Sequence, residues 1–288
     1  EAPIAIPFDA NLAEHIDEDV LSEISNEITG NIEDDTNSRS DWEEQYKGGL
    51  ELLGMSYEDR SEPFEGASGI VHPLLAESVT QFQAQAYREM LPAGGPVKTS
   101  IIGAETPEVT AQAERVKNYM NYQITYEMEE YDPELDQMLF YLPIVGSAFK
   151  KVYFDPTMQR AVSKFVHSED LIVPYSATDL ATATRVTHCI RMDKNEIKKL
   201  QLSGFYRDID LPSSGADSDG TNDVKDTIND IEGITSSSSQ NEEMMIYEVH
   251  TDLDIEGFED IGADGEPTGL KMPYIVTIME DTGDVLSI

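Results

Sequence analysis

The sequence predicts an α+β fold, a helical layer packed on mainly antiparallel strands. Two features of its order predict this. Apolar residues recur at steps of three and four from Leu12 to Leu142, and after Gly146 the spacing drops to two, with turn residues between short runs. Helices followed by strands favour α+β over an alternating parallel sheet.

The first predicted helix runs from Leu12 to Ile28, with Leu12, Ile16, Val20, Leu21, Ile24 and Ile28 on one stripe and Gly30 as its stop. Ser40 and Glu43 read as a capping box opening a second helix, whose apolar side is Trp42, Tyr46, Leu50 and Leu53 and whose stop is Gly54. Glu62 to Gly69 reads as a loop. Pro73 is expected in the first turn of a third helix carrying Leu75, Val79, Phe82, Ala86 and Met90. Pro92 to Pro96 ends it, and Val97 to Ile102 reads as a strand.

Thr106, Pro107 and Glu108 form a cap, an N1 proline and a first-turn acid, opening a helix predicted to reach Glu130 with Val109, Ala113, Val116, Met120 and Ile124 on one face. Asp132, Pro133 and Glu134 repeat the signal for a helix with Leu135, Met138, Leu139 and Leu142, which Pro143 kinks or ends. Ala148 to Phe154, a turn at Asp155 and Pro156, and Ala161 to Val166 form a hairpin signature. Leu171 to Val173 and Val186 to Arg191 are further strands. Asp193 and Glu196 cap a short helix to Leu202, closed by Gly204. Pro212 to Gln240, rich in Ser, Asp, Gly and Asn, has little to bury and reads as a long loop. Met245 to Ile255 returns to strand, with Ile246, Glu248, His250 and Asp252 on one face. Tyr274 to Ile278 and Val285 to Ile288 flank a turn at Asp281 to Gly283. That last hairpin is only begun and no Met leads the chain, so the 288 residues are expected to be a piece of a longer protein.

Charge divides the chain. It holds 57 acids and 19 bases, a formal net charge of −38. Residues 1–38 carry eleven acids and no base; 39–207 carry 25 acids and 17 bases; 208–288 carry 21 acids and two bases, Lys225 and Lys271. The predicted segments are an acidic arm at 1–38, a core at 39–207, an acidic serine-rich loop at 208–242 and a β-rich continuation at 243–288. The flanks read as solvated chain or as docking tails for a basic partner. No run is long and apolar enough for a membrane span. Residues 1–14 have neither the basic nor the apolar region of a signal peptide. Such acidity opposes holding DNA through phosphate pairing. With Cys189 alone, an intrachain disulfide and a thiolate-rich zinc site are excluded, and a reducing compartment is expected.

Candidate chemistry is sparse. Asp281-Thr-Gly283 has the core letters of an aspartic-protease loop, but Glu280 and Asp284 flank it and a polar turn accounts for it. Asp252, Asp254, Glu256 and Gly257 resemble the start of a calcium loop whose twelfth position is Ala263, which excludes an EF-hand; Asp217 to Gly220 lacks the sixth-position glycine. His15, His72, His167, His188 and His250 form no ligand pair by spacing. Cys189 reads as a small hydrophobe. No phosphate-binding glycine loop and no nucleophile elbow occur. The residues therefore predict a non-enzymatic structural or interaction protein, with no catalytic, cofactor or metal residues. The alternative from another class is an acidic soluble hydrolase with a dispersed carboxylate site.

Several segments resemble portal proteins of tailed bacteriophages, the head-to-tail connectors. They are Trp42-Glu-Glu-Gln-Tyr-Lys-Gly-Gly-Leu-Glu-Leu-Leu-Gly54, Phe64 to Glu77 continuing through Gln81 to Ala86, Met90 to Thr99, Tyr131 to Pro143, Gly146-Ser-Ala-Phe-Lys-Lys-Val-Tyr-Phe-Asp155 and Val166 to Tyr175. Their order and spacing carry the resemblance, which spans about 39–210 and, more loosely, 243–288. It implies the N-terminal, mostly wing-like part of a longer chain, with stem and clip beyond Ile288. It also implies a dodecameric homo-oligomeric ring at the portal vertex of the virion, made in the bacterial host cytoplasm; another head–tail adaptor or scaffold component is the alternative, and it would leave the portal-like segments unexplained. Its partners would be the major capsid protein, the terminase large subunit, a head–tail adaptor protein and double-stranded DNA in passage during packaging and ejection, with no membrane. Subunits of such a ring meet head to tail. Each carries −38, so bases are expected at the seam, and Lys150, Lys151, Lys198, Lys199 and Arg207 are the candidates because they stand in pairs or at element ends.

Overall fold

The computed structural model describes residues 7, 10–53, 64, 67, 72–156, 158–212, 243–262 and 265–288. They form a mixed α+β structure with six α-helices and two antiparallel sheets, one of two strands and one of five. The chain divides into two compact units, Glu1–Gln45 with Glu169–Ile288, and Tyr46–Ser168, so the sequence-predicted 39–207 core is shared between them.

The first unit is built on a sheet of order β3-β4-β5-β6-β7, formed by Leu171–Ile172, Arg185–Asp193, Glu243–Leu253, Met272–Met279 and Val285–Ser287. Register puts Ile172, Thr187, Val249 and Val276 side by side on one face. Helix α1, Glu18–Ser38, lays Leu21, Ile24, Ile28 and Ile32 in the same core as that face. On the opposite face Ile246 and Met279 join Met244, Leu286, Tyr206 and Ile197, the last from helix α6, Lys194–Leu202. Period-two alternation thus feeds two cores from one sheet.

Three expectations at this end of the chain are corrected. Leu12–His15 is a 3₁₀ turn separate from α1. Gly30 does not stop α1, which continues to Ser38. A helical glycine costs about 1 kcal/mol, whereas burying Ile32 in the next turn returns about 1.5–3 kcal/mol. Ser40 is not a cap, because α2, Ser40–Leu53, begins one residue after α1 ends, across Arg39. The Arg39 side chain is buried, donating to Glu169 O at 2.9 Å and Leu171 O at 3.1 Å and pairing with Glu43 at 2.7 Å. The two carbonyl contacts, 130 and 132 residues away in sequence, set the bend.

The second unit contains most of α2, helices α3 (Leu74–Met90), α4 (Pro107–Tyr122) and α5 (Tyr131–Val145), and a hairpin of β1 (Phe149–Asp155) and β2 (Arg160–Val166). Leu50, Val79, Leu135, Leu139 and Tyr141 are buried. Thr106 caps α4 as its spacing predicts, its hydroxyl accepting from Val109 N. A π-helical turn, Gln123–Glu127, ends that run short of Glu130. Pro73 precedes α3 rather than lying within it. Pro143 lies inside α5, and Gly146 at φ +85° ends the helix instead.

Val97 to Ile102 is not a strand. The Val97 backbone exchanges two hydrogen bonds with the Asn121 side chain, at 2.9 and 3.2 Å, so an amide takes the place of a neighbouring strand. Ile102 is fully exposed. The predicted Gly54 stop, most of the 62–69 loop and all but Pro212 of the 212–240 loop lie outside the described residues.

Candidate interaction surfaces

The five predicted seam bases fall in different environments. Lys198 and Lys199 are exposed on α6. Arg207 is engaged within its own unit: its guanidinium pairs with Glu18 and donates to Val285 O at 3.3 Å, and its backbone N–H donates to Leu286 O. Lys151 is half-buried, 5.8 Å from the Tyr153 ring centroid. The Lys150 ammonium is buried 4.0 Å above the Tyr131 ring, a cation–π contact. Burial lowers its pKa, opposed by the Glu134 and Glu130 carboxylates.

Those carboxylates have a second task. Glu130 precedes α5 and Glu134 lies one turn on, both beside the outer edge of β2. Glu130 Oε1 accepts from Ser163 N at 3.3 Å and Glu134 Oε2 from Phe165 N at 2.6 Å. Glu130 also takes the Arg160 guanidinium at 2.8 Å. The Arg160 hydrogen bond, with that of Ser163, holds the Glu130 carboxyl below its ordinary range. An edge strand's unpaired N–H groups are thereby satisfied.

The consequence for β1 follows from antiparallel geometry. Ser163 and Phe165 turn their N–H groups away from β1, so Val152 and Lys150, their register partners, turn theirs away from β2. Alternation adds Phe154. Val152 is 66% exposed and Phe154 61%, although period two puts both on the face of the half-buried Lys150 and Phe165.

A groove of about 640 Å³ lies between the Pro92–Pro96 loop, α4 and the start of α5, with Tyr87, Asn121, Tyr122, Tyr126 and Tyr131 among its walls. The Tyr87 hydroxyl donates to Asp132 at 2.5 Å, and that bond raises its pKa. None of α4 is buried, and Val109, Val116 and Met120 lie uncovered along it.

Of the remaining candidates, Asp281 and Thr282 sit in a turn closed by Gly283 at φ +72°, whose carbonyl accepts from Ser25 at 2.5 Å. His250 faces Glu248 at 3.2 Å, two residues along β5. Cys189 packs against the core beneath α1. Among the described residues no group of three or more His, Cys, Asp or Glu converges as metal ligands, and no helix is long and apolar enough to cross a membrane.

Sequence reasoning missed Glu130, Glu134 and Asn121. Their partners lie 33, 31 and 24 residues away, and no local spacing marks them. The exposed pair Val152 and Phe154 carried a signal, two apolar residues at period two on a hairpin beside bases.

No protein-family model matches the sequence, and no curated protein matches it.

Proposed function

We propose that the chain is the wing-like part of a bacteriophage portal subunit, a non-catalytic ring component at the capsid vertex through which double-stranded DNA enters and leaves. The observation that carries this reading is the ordered series of portal-like segments from Trp42 to Tyr175. One of these segments, Gly146 to Asp155, coincides with the turn from α5 into β1. The proposed ring would contact the capsid protein, the terminase and a tail adaptor.

The acidity suits passage rather than grip. A wall of like charge offers phosphates no attraction that would stall sliding DNA. A unit pair at ~4 Å in water is worth only about 1 kcal/mol and is screened within ~10 Å, so charge permits motion without driving it.

Particle mass tests the reading. Native mass spectrometry and electron microscopy of the purified chain are expected to show closed rings of about twelve copies. A population that stops at dimers or tetramers overturns it.

A further inference from the structure

We propose that the groove between the Pro92–Pro96 loop, α4 and the start of α5 takes the guanidinium of an arginine carried by a basic protein other than this chain. The groove holds about 640 Å³ and lies wholly within the second unit. Its rim is fixed by specific contacts. The Asn121 amide clamps the Val97 backbone, and Gly95, at φ +88°, lets the loop pass close over that amide. Helix α4 then runs into a π-helical turn, Gln123–Glu127, a departure from α geometry that is frequent at functional sites. Tyr122 stands just before that turn and Tyr126 inside it, their rings stacked at 5.9 Å and 20°. Both rings are open to solvent, 55% and 75% exposed.

Charge and shape select the occupant. Of the described residues that line the groove, Asp132 alone carries a charge. Its Oδ1 accepts from the Tyr87 hydroxyl, while Oδ2 accepts nothing from the described residues. The hydrogen bond to Asp132, then burial and the charges of Asp132 and Asp136, raise the Tyr87 pKa, so the groove sits in a negative field. The chain itself uses the matching chemistry at one wall, where the Lys150 ammonium lies 4.0 Å over the Tyr131 ring. A stacked pair of tyrosines sharing a groove with a carboxylate favours guanidinium over ammonium, because guanidinium is planar, weakly hydrated and forks onto carboxylate oxygens. An anion is repelled, and a neutral ligand leaves Asp132 without a counter-charge. Another copy of this chain is disfavoured as the source, since it brings a net charge of −38. The proposal stands apart from the ring reading.

Surface plasmon resonance on the immobilised chain tests it, with N-acetylarginine amide, N-acetyllysine amide and N-acetylcitrulline amide, the last neutral but of the same shape. The arginine probe should saturate with a Kd on the order of millimolar, about tenfold tighter than citrulline and about threefold tighter than lysine. Asp132→Asn keeps an acceptor for Tyr87, and Tyr126→Leu alters an exposed ring. Each should weaken arginine binding about threefold or more with circular dichroism unchanged, whereas Tyr126→Phe, which keeps a ring, should bind like wild type. Equal binding of lysine would mean that an acidic chain attracts any cation, and it overturns the proposal. So does a lack of saturation below about 50 mM, or unaltered binding by Asp132→Asn. Sedimentation identifies the source: Asp132→Asn should self-associate as wild type does. A loss of assembly would put a second copy's arginine in the groove and overturn the separate partner.

Discussion

Arg185 grips Asp35 with two parallel hydrogen bonds, Nε to Oδ2 at 2.5 Å and Nη2 to Oδ1 at 2.7 Å, tying the last turn of α1 to the start of β4 across 150 residues of sequence. The Asp35 hydrogen bond raises the pKa of the guanidinium. The Asp35 side chain is 7% exposed and that of Arg185 23%, so the pair is largely withdrawn from water. Asp35→Ala strands a half-buried cation and is expected to cost about 3 kcal/mol in urea denaturation. Replacing both residues by apolar ones should cost clearly less than the sum of the single changes; full additivity would show that the pair is not coupled.

Asn11 is buried and uses both ends of its amide. Nδ2 donates to Leu286 O at 2.9 Å and Phe205 O at 3.2 Å, while Oδ1 accepts from Ala13 N and Ile288 N. Asn11→Ala leaves several buried backbone groups without partners, and a loss of about 2 kcal/mol is expected by thermal or urea unfolding. A change within error would mean that water replaces the amide.

Glu130 confers a pH dependence of known sign. Its folded pKa lies below the unfolded value of about 4.5. Its contribution is therefore complete above that value and is lost as pH falls through the folded pKa. The urea midpoint of the wild type should drop more steeply below about pH 4.5 than that of Glu130→Gln. Parallel curves would remove Glu130 from the account.

Gly95 and Gly94 are neighbours with opposite expectations. Gly95 has φ +88°, and a Cβ there would overlap the Asn121 amide that holds Val97; a Cβ at Gly94 meets nothing within 4 Å. Gly95→Ala should cost about 2 kcal/mol and speed proteolysis of the 92–97 loop, with Gly94→Ala near neutral. Equal behaviour of the two variants would show that the Asn121 clamp does not constrain the loop.

Lys198 and Lys199, exposed on α6, provide the cleaner test of a basic seam. Reversing both to Glu should weaken assembly at low salt and leave the circular dichroism spectrum unchanged. The Lys150→Glu, Lys151→Glu double variant should weaken assembly too, but it also replaces an ammonium buried over Tyr131, so a folding defect is expected with it. Wild-type assembly by both variants would discard the seam.

The sequence by itself determined the class of the fold and the elements whose signals are local. Thr106 with Pro107 starts α4, Asp155 with Pro156 turns the hairpin, and the Leu135 and Leu139 stripe buries α5, because caps, prolines and side-chain periods act within a few residues. It also supplied the portal-like segments. Tertiary structure alone decided the rest. Gly30 stays helical because distant apolar residues cover Ile28 and Ile32; Val97 is no strand because Asn121 occupies its backbone. The division into two units, the bend at Arg39 and the single open edge of the hairpin likewise depend on partners thirty or more residues away. Backbone groups must find hydrogen-bond partners somewhere, and local propensity does not specify which distant side chain supplies them.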